Sequence, residues 1–162
     1  MDKHSYIHDY YLDIVKPTVA EFMLNKSDLR KGRLAAIVLD HVRDYRAVQL
    51  NITPNQVLDS IKDHCFDIVF IRDVCNASKH AILTNKTKVP RTLSNTRQIK
   101  AEHNFGLWHA PFGQSMFGEA NDVFIKFDND QVLNGEKISY RNLHDSINEL
   151  VTYWDKELNI NS

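Results

Sequence analysis

"VLDSIKDHCFDIVFIRDVCNASKH", residues 57–80, sets the architecture. Thr53 and Pro54, just upstream, form a helix start: Thr is a good N-cap and Pro a good first helical residue. From there the spacing predicts one long helix over 54–82. Leu58, Ile61, Cys65, Ile68 and Val69 share a stripe at 100° per residue. The same stripe continues into Arg72, Asn76, Lys79 and His80, so a face that begins as core ends as a polar cluster. A surface helix normally keeps polar residues on its opposite side. Arginine is rarely buried without a partner, so Arg72 needs an acceptor.

Nearer the N-terminus, "HSYIHDYYLDIVKPTVAEFMLN" predicts a helix over 4–25, which Pro17 kinks or restarts. Ser27 or Asp28 then caps a second helix over 28–50, with Leu34, Ile37, Val38, His41, Tyr45 and Val48 on one side. Its "HVRDY" segment supplies His41 and Asp44. If the second and third helices pack antiparallel, Asp44 is expected to pair with Arg72, and His41 to lie near Asn76 or His80. "SYRNLHDSINELVTYWDKELN" predicts a last helix over 140–158. Between 95 and 138 the chain reads as strand and loop: "NDVFIKF" alternates as a strand, "DNDQ" reads as a turn, and "QVLNGEKISY" returns as a strand or as a loop with an Asn-Gly turn. The fold class is mainly α, a four-helix-type antiparallel bundle in a single domain, 1–162, with a small β-hairpin or loop insertion before the last helix.

The chain's 162 residues are enough for one real core, and 43% hydrophobic with 25% charged residues is the balance of a soluble globular protein. Formal net charge is −1, so any nucleic-acid binding must come from a local patch. One patch exists. Residues 74–101 carry Lys79, Lys86, Lys88, Arg91, Arg97 and Lys100 with no Asp or Glu. It reads as a phosphate-binding edge beside His80 or as a solvated loop.

No signal-peptide pattern opens the sequence and no stretch approaches a membrane span. Cys65 and Cys75, ten residues apart on the expected helix, would sit about 15 Å apart and cannot pair. Reduced cysteines point to the cytoplasm. His4 and His8 have the i, i+4 spacing of two metal ligands but no third partner, and His103, His109, Trp108 and Phe112 mark the glycine-containing insert. No cofactor and no metal is expected; phosphate-loop, dinucleotide and nucleophile motifs are absent from the sequence.

Arg72, the polar Asp73 after it, and His80 near the end of a long helix resemble the HEPN superfamily of helical bundles, whose motif is Arg, four to six residues, then His. Here seven residues intervene. The similarity covers roughly residues 28–82 and the last helix, and leaves the β element unexplained. Many members are metal-independent ribonucleases of toxin–antitoxin, defence and RNA-processing systems, and others are inactive binding partners. The resemblance implies a catalytic group of Arg72, His80, Asp73 and Asn76. His80 would be base or acid, Arg72 or Lys79 would hold phosphate, and Asp73 or Asn76 would orient the histidine. Lys79, Lys86, Lys88 and Arg91 would bind RNA, with His41 and Asp44 in support. It also implies a homodimer and an antitoxin-like protein partner. The alternative is a non-catalytic helical module for a protein partner or small ligand, in which the Arg72/His80 cluster is structural.

Overall fold

The computed structural model describes residues 3–102 and 122–160; His103, His109, Trp108 and Phe112, and the side chain of His4, lie outside the described residues. The protein is mainly helical with a small three-stranded antiparallel sheet. Chain order is α1 (Lys3–Tyr10), a π-turn (Tyr11–Val15), α2 (Lys16–Met23), α3 (Leu29–Asp40), α4 (Val42–Leu50), α5 (Pro54–Ile61) and α6 (Asp67–His80). The sheet comes next as β1 (Ile99–Glu102), β2 (Asp122–Leu133) and β3 (Glu136–Asn142), and α7 (Leu143–Glu157) is the last helix.

The helix expected over 4–25 is divided by the π-turn, in which the Lys16 amide donates to the Tyr11 carbonyl five residues back. Pro17 has no amide hydrogen to continue the α-helical ladder, and α2 restarts with it in the first turn. The turn also lets adjacent tyrosines face different neighbours. Tyr10 stacks on Tyr45 with ring centroids 4.2 Å apart, and its hydroxyl donates to Val38 O at 2.8 Å. Tyr11 is fully buried and its hydroxyl donates to Asp155 on α7 at 2.8 Å. Lys16 Nζ reaches the same carboxylate at 2.9 Å.

The second expected helix, 28–50, breaks at His41 into α3 and α4. Asp28 caps its start, accepting from the Lys31 amide, and Asn51 ends it at φ 57°, a left-handed position that Asn tolerates. The third, 54–82, is two helices. Thr53 and Gln56 form a capping box at the start of α5. The chain then leaves the helix at Lys62–Phe66, and α6 begins at Asp67. No Pro or Gly marks this break. Asp63, His64 and Cys65 are weak helix formers, and the two halves have different needs. α5 buries one stripe, Val57, Leu58 and Ile61, whereas every residue of α6 from Asp67 to Cys75 is buried. One straight helix cannot be buried on one side along its first half and all round along its second against the same neighbours. The common stripe through 58–80 is therefore interrupted, and Cys65 and Cys75 do not share a helix; both are free thiols.

α6 is the central helix, packed against α3 and α7. α3 approaches closely because Gly32 faces Phe22 and Leu143. β2 lays alternate residues Val123, Ile125 and Phe127 on the core, and Phe127 stacks on Phe70 of α6 at 4.6 Å. β1 pairs with β2 from Ile99↔Ile125 to Glu102↔Asp122. β2 and β3 join through Asn134 and Gly135, both at positive φ, as a tight hairpin turn requires. Residues 128–131, expected as a turn, lie within β2, where the register shifts between Lys126 and Gln131. Residues 140–142, expected in the last helix, complete β3. Arg141 there bonds Asp67 at the start of α6 at 2.8 Å.

A Cβ on Gly32 would lie 2.9 Å from Leu143 Cδ2 and 3.0 Å from Phe22 Cε2. Gly32→Ala is expected to lower stability by about 1–3 kcal/mol through overpacking, read as a lower urea midpoint at unchanged slope.

Candidate functional site

α6 ends in the polar residues that raised the functional question, and the chain immediately after it folds back over them. Asp73 is fully buried and its two carboxylate oxygens are both engaged. Oδ1 accepts from Arg72 Nε at 2.8 Å, and Oδ2 accepts from the Thr92 amide at 2.7 Å and the Thr92 hydroxyl at 2.9 Å. Arg72, only 4% exposed, completes the clasp: Nη1 donates to Val89 O and Nη2 to Pro90 O, both at 3.0 Å. Buried charges are tolerated when paired and fully hydrogen-bonded, and this pair meets that condition. The clasp fixes residues 89–92 against the helix.

The ends of the same segment are joined by backbone bonds. The Leu83 amide donates to Ser94 O, and the Thr96 amide to Ala81 O, each at 2.7 Å. Residues 81–96 thus form a loop closed at its neck and pinned at its middle. The neck begins at Ala81, at φ 60° and ψ −50°, where the Ile82 amide donates back to His80 O at 2.6 Å. This is a γ-turn of the rare positive-φ kind, a conformation that costs about 1–3 kcal/mol for a residue with a Cβ. The neck bonds and the Asp73 clasp hold it.

Of the expected catalytic group, Arg72 and Asp73 are neighbours inside the protein. Asn76 is half-buried one turn on, and Lys79 and His80 are exposed at the helix end. Arg72 and His80, eight residues apart on α6, are about 12 Å apart along the axis. They do not line one cleft, because the Arg72 guanidinium is directed under residues 89 and 90. Asp44 is not the partner of Arg72: it lies 2.8 Å from His41 Nδ1, beyond the end of α3. The antiparallel pairing expected to join Asp44 and Arg72 fails because the chain bends at His41 and because residues 89–92 supply nearer acceptors.

The basic segment is divided by the loop. Lys88 pairs with Asp59 of α5; Arg91 Nε donates to Asn85 O at 3.0 Å, and its Nη1 stands 3.6 Å from Asp73. These two side chains face a groove of about 1000 Å³ between the α5–α6 break, residues 88–92 and the irregular stretch of β2. Lys86 is exposed on the loop. At the neck, Arg97 lines a second, smaller hollow with Ala81, Ile82 and Leu83, the residues that directly succeed Lys79 and His80.

Sequence reasoning missed Thr92 and the carbonyls of Val89 and Pro90, since nothing in "KVPRT" announces a carboxylate partner nineteen residues upstream. It also missed Asp40 and Arg43, a buried pair at 2.7 Å whose i, i+3 spacing was readable in "DHVRD". Asp40 also faces Cys75 across the α3–α6 contact. Burial first, and then the Asp40 carboxylate, push the Cys75 thiol up to about 12. Among the described residues no group of three or more His, Cys, Asp or Glu is placed to hold a metal ion.

Comparison with protein-family models finds no match, and none is found among curated proteins or solved structures.

Two outcomes are expected. Asp73→Asn leaves Arg72 buried without its counter-charge and should cost about 3–5 kcal/mol. In its folded fraction, trypsin should cut faster at Lys86, Lys88 and Arg91. Cys75, fully buried and with its thiol pushed up, should resist iodoacetamide at pH 8 in the native protein and react once unfolded in urea.

Proposed function

We propose that this protein binds single-stranded RNA at the neck of the 81–96 loop, as a relative of the HEPN bundles. One observation carries the reading: the neck bonds bring Arg97 to the end of α6, where Lys79 and His80 are exposed. Two cations and an exposed imidazole, beside a hollow walled by Ile82 and Leu83, suit phosphate on one side and a base on the other. Within this reading Arg72 and Asp73 are positioning residues that set the loop and do not touch RNA. His80 is the residue available for proton transfer to or from a ribose 2′-hydroxyl, without a metal. A four-helix-type grouping of α2, α3, α6 and α7, a cytoplasmic site of action, a homodimer and an antitoxin-like partner belong to the same reading.

A second reading, a non-catalytic module for a protein partner or small ligand, is favoured by the sealing of Arg72. The cation that would steady a phosphorane is committed to Asp73 and two carbonyls.

The test is anisotropy of a labelled mixed-sequence RNA with wild type and with Lys79→Gln/Arg97→Gln, and then incubation in EDTA beside His80→Ala. The double variant should bind about tenfold or more weakly, and its log–log salt slope should fall by about 1.4, for two lost phosphate contacts. Cleavage that disappears in His80→Ala supports the ribonuclease form; binding without cleavage leaves an RNA-binding protein. If wild type binds no tighter than the double variant, the second reading replaces the first.

A further inference from the structure

The apolar stripe that the sequence puts on one side of residues 28–50 is not the side that faces the core. α3 buries Gly32, Ala35, Ala36 and Leu39, and α4 buries Val42 and Ala47. At 100° per residue, Leu34, Ile37, His41 and Val48 lie on the opposite side. Leu34 is 42% exposed and Val48 62%, and Ile37 is half-buried. α3 therefore turns glycine and alanines inward and leaves larger aliphatic residues outside, against the usual order. A single exposed leucine needs no explanation, but an apolar line along about four turns of outward helix face marks an interaction surface. Tyr45 borders the line, stacked on Tyr10 of α1. The charged groups on it are Arg30, exposed at its start, and His41 with Asp44, which satisfy each other at 2.8 Å. His41 keeps helical angles, φ −69° and ψ −13°, so α3 and α4 stay in phase across the bend.

The line is also symmetric. Leu34 and Val48 stand seven residues either side of His41, and Ile37 and Tyr45 stand four either side. A contact between two identical surfaces across a two-fold axis needs this self-complementarity, because residue i meets j and j meets i. Contact with an unlike protein imposes no such symmetry. We propose that α3 and α4 form the interface of a homodimer, in which the two copies of this face run antiparallel about a two-fold axis at His41. Leu34 then meets Val48 of the second copy, Ile37 meets Tyr45, and the two His41–Asp44 pairs flank the axis. The line from Leu34 to Val48 covers about 21 Å of helix. That is at the small end of specific interfaces, so a dissociation constant on the order of 10 µM is expected. The proposal gives the homodimer of the RNA reading a surface and a register. It rests on the burial pattern of α3 and α4 and not on RNA binding, and Lys79, His80 and Arg97 take no part in it.

The experiment is sedimentation equilibrium of the full chain, without RNA, from about 1 to about 200 µM. Wild type should fit a monomer–dimer equilibrium. Leu34→Glu and Val48→Glu alter exposed side chains, so circular dichroism and the urea midpoint should hold while each weakens dimerisation at least about tenfold. Paired variants test the register. Leu34→Lys/Val48→Glu sets opposite charges face to face between copies, whereas Leu34→Glu/Val48→Glu sets like charges there. The first should dimerise at least about tenfold more tightly than the second. Within one chain the two positions are about 21 Å apart and do not reach each other. A wild type that stays monomeric over the whole range, dimers that persist in Leu34→Glu, or equal behaviour of the two double variants overturns the proposal. RNA anisotropy of the Lys79→Gln/Arg97→Gln protein reads the neck separately, so failure of one reading leaves the other standing.

Discussion

Asp73 is a carboxylate placed where no water reaches it, and everything at this end of the molecule answers to that fact. A buried negative charge needs a cation and donors for both oxygens. Arg72 supplies the cation from the adjacent residue, and Thr92 supplies two donors from a distant part of the chain. Arg72 in turn needs acceptors, which Val89 and Pro90 provide. Residues 89–92, an otherwise irregular stretch, are thereby fixed to the central helix without any regular secondary structure of their own.

That fixing gives the segment two different surfaces. Its middle faces α5 and β2 and helps to wall a groove in which charges largely cancel. Its neck returns to the end of α6, where Arg97 lines a hollow and the Asp128 carboxylate of β2 accepts from Ser94 and Gln98. A stretch that reads as one basic patch is thus divided by its own loop closure. The sheet takes part as well: the Asp128 amide donates to Thr92 O at 2.9 Å, so the irregular part of β2 and the clasp hold each other.

The helical class was legible because the stripes at three and four are strong in residues 28–50 and 143–158, and because Thr53–Pro54 and Asn134–Gly135 are local signals with local causes. The break at 62–66 was not legible. It arises from how much of α6 is buried, which is a property of its neighbours and not of its periodicity. The same burial explains why a polar cluster reads as a site: Arg72 and Asp73 are tolerated inside since their partners lie inside too, on a loop whose approach no spacing rule gives. The exposed Lys79 and His80 were readable as a helix end, whereas the return of Arg97 to that end depends on neck bonds between residues 81–83 and 94–96 that no local pattern names.

The π-turn between α1 and α2 has a consequence for the length of this chain. A five-residue hydrogen-bonded turn holds one residue more than the α-helical turn it replaces, and so rotates α1 by about 100° relative to α2. Tyr10 reaches Val38 of α3 and Tyr45 of α4, while Ile7, Val15 and Val19 are all buried. The surplus residue acts as a phase adjuster. One-residue differences in this first helix can be absorbed at Tyr11–Val15 while both arms stay tied to the end of α7, Lys16 through Asp155 and His8 through Leu158 O.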